Sequence, residues 1–90
     1  MLFILGQVVA TPGALRAIVE NNVDTWSLLL RHVNGDWSCI PQEDQLENQL
    51  SLENGYRVMS SYPLNERGDK LWIITEADRS STCLLLPEEY

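Results

Sequence analysis

Ninety residues are enough for one hydrophobic core and too few for two. With 44% hydrophobic and 21% charged residues, the chain is too apolar for a disordered protein. Thirteen acidic against six basic residues leave a formal net charge of −7. That balance disfavours duplex nucleic acid and anionic membranes as partners, because both are held mainly through clustered Lys and Arg.

The basic residues Arg16, Arg31, Arg57, Arg67, Lys70 and Arg79 are scattered, and only Arg67 and Lys70 lie close together. The opening run Met1-Leu2-Phe3-Ile4-Leu5 is apolar but too short to span a bilayer. It also lacks the basic region and cleavage site of a leader. The reading is a strand and a cytoplasmic chain. In a reducing compartment Cys39 and Cys83 are expected as free, half-buried thiols. They form no CxxC pair and no His cluster exists, so neither a metal site nor a cofactor is expected.

In chain order, residues 2–10 are β-prone, with a bend or bulge expected at Gly6. Thr11-Pro12 is a helix start, Thr as N-cap and Pro at the first helical position. Leu15, Ile18 and Val19 then form one apolar face up to Asn21-Asn22. Asp24 or Thr25 caps a second helix, whose apolar positions are Trp26, Leu29, Leu30 and Val33 and which ends at Asn34-Gly35. A connector from Asp36 to Ile40 carries Trp37. Pro41 opens a third helix with Glu43 and Asp44 in its first turn and a narrow stripe of Leu46 and Leu50, stopped by Asn54-Gly55.

The final third changes to a period of two. Tyr56 to Leu64, Lys70 to Glu76 and Thr82 to Leu86 read as strands joined by two tight turns. Tyr56, Val58, Ser60, Tyr62 and Leu64 share one face of the first of them; Arg57, Met59 and Ser61 take the other. The expected fold is one α+β domain over residues 1–90, in the order β-α-α-α-β-β-β. A three-stranded antiparallel meander, with the N-terminal strand on its edge, carries about three helices on one face. Trp26 and Trp72 are expected in the core.

Two segments are candidates for function. From Asp36 to Glu53 the acids Asp36, Glu43, Asp44, Glu47 and Glu53 run without an intervening basic residue. With Trp37 as an anchor, Asp36, Glu43, Asp44 and Glu47 make an acidic face for a protein partner; the plainer reading is a solvated helix face, with Trp37 as a lid over the core. The second segment, Thr75 to Thr82, is the densest in polar residues. Glu76 or Asp78 as a base, Arg79 for an anion, and Ser80, Ser81 or Thr82 for orientation make a ligand loop or a small active site with His32. Hairpin chemistry accounts for the same residues without catalysis. His32, the only histidine, falls in the last turn of a helix, where a partly positive imidazole suits the dipole. No catalytic residue is assigned. A homodimer through an unpaired strand edge is a further expectation.

Three stretches together resemble a family of short bacterial proteins of plasmids and other mobile elements. They are Gly6-Gln7-Val8-Val9-Ala10-Thr11-Pro12-Gly13-Ala14-Leu15, Arg31-His32 followed by Gly35-Asp36-Trp37, and Trp72-Ile73-Ile74-Thr75-Glu76-Ala77-Asp78-Arg79-Ser80-Ser81-Thr82. The closing Leu85-Leu86-Pro87-Glu88-Glu89-Tyr90 matches as well. Members carry labels such as "plasmid-related protein" or "type I restriction endonuclease subunit M". A methyltransferase subunit needs a cofactor-binding domain larger than 90 residues can hold. The resemblance therefore implies a mobile-element setting and an accessory role, with no catalytic residues to carry over. Together these readings give a non-enzymatic interaction protein of unknown partner.

Overall fold

A computed structural model gives the positions of residues 1–90. Short-range chemistry fixes the helix ends. The Thr11 hydroxyl oxygen accepts the Ala14 N–H at 3.0 Å and Pro12 opens helix α1 (Pro12–Glu20). The Asp24 carboxylate caps α2 (Thr25–Val33). Gly55, at φ +73°, closes α3 (Gln42–Asn54) in the left-handed conformation, its N–H on the Ser51 carbonyl.

The strands are β1 (Gln7–Ala10), β2 (Val58–Pro63), β3 (Lys70–Thr75) and β4 (Ser81–Leu85). The fold is α+β, and the order β-α-α-α-β-β-β ends in a 3-10 turn at Pro87–Glu89. The sheet runs β1-β4-β3-β2. The meander β2-β3-β4 is antiparallel, as its tight turns require. β1, however, pairs parallel to β4, with Val9 opposite Cys83. The sheet is mixed where an antiparallel one was expected, because three helices intervene before the meander and free β1 from hairpin geometry. Strand β1 is also shorter than the expected 2–10. Gly6, at φ +63°, breaks the extension, and residues 2–5 leave the sheet to reach α2, where the Leu2 N–H meets the Val33 carbonyl at 2.7 Å.

One sheet face carries Val58, Ser60, Tyr62, Leu71, Ile73 and Leu84, all within 2% of complete burial. Ala14 of α1 and Leu28 and Leu29 of α2 close the main core against them. A smaller cluster of Phe3, Val33 and Val58 lies beside it, under Trp37.

The helices present different residues to this core than their apolar spacing predicts. In α1 the small Gly13 and Ala14 are buried, while Leu15 and Val19 are 54% and 79% exposed. In α2 Leu28, Leu29, His32 and Val33 turn inward; Trp26, expected in the core, is 67% exposed, and Leu30 is exposed beside it. Close approach of α1 to the sheet favours its smallest side chains, so volume outranks hydrophobicity there.

Helix α3 is turned over. Its buried residues are Asn48 and Ser51, while Leu46 and Leu50 face out. The reason is the exposed edge of β2. Asn48 donates Nδ2–H to the Met59 carbonyl at 2.6 Å and accepts the Met59 N–H on Oδ1 at 3.0 Å. One side-chain amide thus replaces a missing strand, and Pro63 withholds an N–H further along. Asn48→Ala leaves both Met59 groups unpaired and is expected to lower stability by about 2 kcal/mol. Urea denaturation measures the loss; one below about 0.5 kcal/mol contradicts the clamp.

The opposite sheet face is covered by the chain end. Tyr90 stands edge-on to Trp72 at 5.6 Å and accepts a hydrogen bond from Arg57 at 2.7 Å. Trp72 is therefore half-buried on this second face and not in the main core. Glu89 accepts the Thr11 hydroxyl at 2.6 Å and the Leu86 N–H at 2.8 Å, so the tail docks on the start of α1. The Thr11 hydroxyl bond, followed by the Leu86 N–H, holds the Glu89 carboxyl below its usual range. No helix is long and apolar enough to cross a membrane.

Candidate functional site

At about 100° per residue, Asn48, Ser51 and Leu52 define the inward side of α3. Leu46, Leu50, Glu43 and Glu53 fall on the opposite side, with Glu47 flanking them. Leu46 is 56% and Leu50 49% exposed, and the acids around them are exposed as well. This face therefore combines apolar and acidic character. The sequence shows both leucines only as a narrow apolar stripe; the readable sign of its direction is Asn48 and Ser51 at helical spacing opposite them.

The connector before α3 is internally bound. Arg31 Nε donates to Asp36 Oδ2 at 2.7 Å, and the Ser38 hydroxyl donates to Asp36 Oδ1 at 2.7 Å. The Arg31 bond, then the Ser38 bond, holds the Asp36 carboxyl below its ordinary range. The Tyr62 hydroxyl donates to the Asp36 carbonyl at 2.8 Å. Trp37 is half-buried against the Phe3–Val33–Val58 cluster, as a lid. Of the five residues Asp36, Trp37, Glu43, Asp44 and Glu47, the last three are exposed on α3, Glu43 and Glu47 toward its outer side and Asp44 one turn ahead of Asn48, and the first two brace the turn that leads into it.

The ligand-loop candidates Glu76, Asp78, Arg79, Ser80 and Ser81 form the β3–β4 hairpin turn. Glu76 N–H bonds the Ser81 carbonyl at 3.0 Å, and Arg79 N–H bonds the Glu76 carbonyl at 2.9 Å. Asp78 Oδ1 accepts the Ser80 N–H at 3.0 Å; bonding from Ser80 keeps its carboxyl acidic. Arg79 sits at φ +60°, an unusual conformation for a side-chain-bearing residue. Both terminal nitrogens of its guanidinium meet backbone carbonyls: Nη1 donates to Tyr56 at 2.7 Å, Glu76 at 3.0 Å and Ala77 at 3.3 Å, and Nη2 to Ser51 at 3.3 Å. The cation thus satisfies the C-terminal end of α3, where the dipole favours it.

His32 is fully buried and joins none of those acids. Its Nδ1 lies 2.5 Å from Ser60 Oγ and its Nε2 2.9 Å from Thr75 Oγ1. Thr75 Oγ1 is 2.7 Å from Thr82 Oγ1, which donates to the Leu5 carbonyl at 2.7 Å. A carbonyl only accepts, so the protons from Leu5 back to His32 Nε2 are assigned. Thr82 gives its proton to Leu5, Thr75 to Thr82, His32 Nε2–H to Thr75, and Ser60 to Nδ1. Burial lowers the imidazole pKa to about 4, so near neutral pH the ring is uncharged and Nδ1 accepts. The expected dipole-stabilised cation at a helix end is therefore corrected: His32 turns into the core, where charge is penalised.

The largest concavity, about 330 Å³, lies between α1, the β2–β3 turn and the chain end. Glu20, Arg67, Asp69 and Lys70 line it, with no Ser, Thr, Cys or His. No three His, Cys, Asp or Glu side chains converge on a possible metal position. Cys39 and Cys83 are unpaired; Cys39 is exposed and only Cys83 is half-buried, and burial raises the Cys83 thiol pKa. Comparison with protein-family models, curated proteins and solved structures finds no match to this chain.

Proposed function

We propose that this protein is a non-enzymatic interaction module that binds another protein through the outer face of α3. The supporting observation is the inversion of that helix. A surface helix serving only the fold turns its leucines inward. Here Asn48 and Ser51 take the inward positions, and Leu46 and Leu50 stand in solvent among Glu43, Glu47 and Glu53. Desolvating two leucines supplies affinity, while the acids steer the encounter and exclude acidic competitors. The partner surface that fits is an apolar groove with a basic rim. A plasmid-maintenance or host-defence protein as that partner follows from the mobile-element resemblance.

The test is affinity capture from host lysate with the intact protein, Leu46→Ala/Leu50→Ala, and Glu43→Lys/Asp44→Lys/Glu47→Lys. Both variants change only exposed side chains and should keep the wild-type circular dichroism. A discrete partner is expected with the wild type and is reduced at least about tenfold, or roughly 1.4 kcal/mol, by either variant. Equal recovery by all three proteins removes this function.

A further inference from the structure

We infer that a second copy of this chain pairs with strand β1, joining two sheets into one about a two-fold axis at Val9. The two sheet edges are treated differently. The β2 edge is clamped by Asn48 and blunted by Pro63. The β1 edge has neither device: Gln7, Val8, Val9 and Ala10 carry no charge, no proline and no covering helix, and Val8 and Val9 are 40% and 41% exposed. An uncharged, uncovered edge is a template for strand addition.

Charge selects the occupant. All 13 acidic residues lie from Glu20 onward, and Arg16 is the one charged side chain among the first 19 residues. A second copy carrying −7 is repelled by most of the surface but not by this segment. Seven of the 13 large exposed hydrophobic residues also fall within it, among them Leu15 and Val19 of α1. The acid-free part of the chain is thus its most apolar surface, as an interface between copies requires.

Backbone direction sets the register. Gln7 N–H bonds Ser80 and Thr11 N–H bonds Leu84, so residues 7, 9 and 11 point their peptide groups at β4. Val8 and Ala10 point theirs outward. An antiparallel mate therefore pairs Val8 with Ala10 of its partner and Ala10 with Val8, and places Val9 against Val9 as a pair without mutual hydrogen bonds. In the joined sheet the two α3 helices stand at the far edges, since β2 is at the other end from β1.

Sedimentation equilibrium of the full chain over roughly 1–300 μM reads the association directly. A monomer–dimer equilibrium is expected. Val9→Lys and Val9→Glu each put like charges directly opposite and are expected to weaken it at least about tenfold, while an equimolar mixture of the two regains a dimer. Independently, Val9→Cys in a Cys39→Ser/Cys83→Ser background should oxidise to a covalent dimer, because such opposed positions are about 4.5 Å apart between Cα atoms. The serine background is needed because Cys83 stands beside Val9 in the same chain. A monomer throughout the range, or a dimer indifferent to both charge variants and uncrosslinked through residue 9, overturns the inference.

Discussion

Replacing His32 by alanine is expected to lower the unfolding free energy by about 3–5 kcal/mol. The imidazole is completely buried and links α2 to β2 and β3 through Ser60 and Thr75. Its removal leaves a cavity, strands the Ser60 proton and deprives the Thr75 oxygen of its donor, leaving it only the bond to Thr82. A domain of this size has roughly 5–15 kcal/mol in total, so the variant should be marginal at 37 °C. The same group sets a pH dependence. His32 titrates at about 4 in the fold against an ordinary 6.5, because burial penalises its cation. The unfolded chain therefore takes up the proton first. The contribution is intact above pH 6.5 and is lost as pH falls from 6.5 towards 4, at about 1.4 kcal/mol per pH unit. Between pH 7 and pH 5 the loss should be about 2 kcal/mol. The depressed carboxyls of Asp36, Asp78 and Glu89 act only at lower pH, where they begin to protonate. Urea denaturation at pH 7 and pH 5 separates the effects. His32→Gln should flatten the profile; an unchanged slope in that variant means another group is responsible.

The second large effect is expected at Gly6. Its φ of +63° disfavours any side chain, and a Cβ would lie 2.4–2.5 Å from the carbonyls of Ser80 and Arg79. Those atoms are backbone in the β3–β4 turn, so they cannot rotate away. Gly6→Ala should cost about 3 kcal/mol, near 1 from the conformation and the rest from displacing the N-terminal segment off the hairpin. The loss should appear as a fall in Tm of roughly 12–24 °C, since 1 kcal/mol shifts a domain of this size by about 4–8 °C. Gly55→Ala is the internal control. It shares a positive φ, +73°, but a Cβ there meets nothing within 4 Å. Its cost should be near 1 kcal/mol. Equal losses at both glycines would mean that conformation alone matters and that the N-terminal contact is weak.

The two substitutions probe the same piece of architecture. Residues 2–6 are held by the Leu5 carbonyl at one end of the His32 row and by the Gly6 approach to the hairpin. Both anchors precede β1 and fix where its edge emerges. Weakening either is therefore expected to loosen the edge on which strand pairing depends, whereas α3 is tied to β2 and to Arg79 and should hold its place.

Local chemistry made much of this fold readable. Thr11-Pro12, Asp24, Asn34-Gly35 and Asn54-Gly55 delimit the three helices, because a cap or a positive φ acts within about four residues of chain. The period of two placed Val58, Ser60 and Tyr62 together on the buried face of β2 for the same reason, since alternation is a property of the extended backbone; Tyr56, assigned to that face as well, precedes the strand and is exposed. The acidic stretch at Glu43, Asp44 and Glu47 was legible as composition, but not the exposed leucines beside it.

Only the tertiary structure decided which side of each helix is inside, that β1 runs parallel to β4, and that Arg79 braces backbone carbonyls of α3 and its own turn. These depend on groups far apart in the chain: Asn48 meets Met59 across 11 residues, His32 meets Thr75 across 43, and Thr82 meets Leu5 across 77. Hydrophobic spacing states which residues can be buried. The need to satisfy every buried polar group determines which of them are, and that requirement is settled only when distant segments come together.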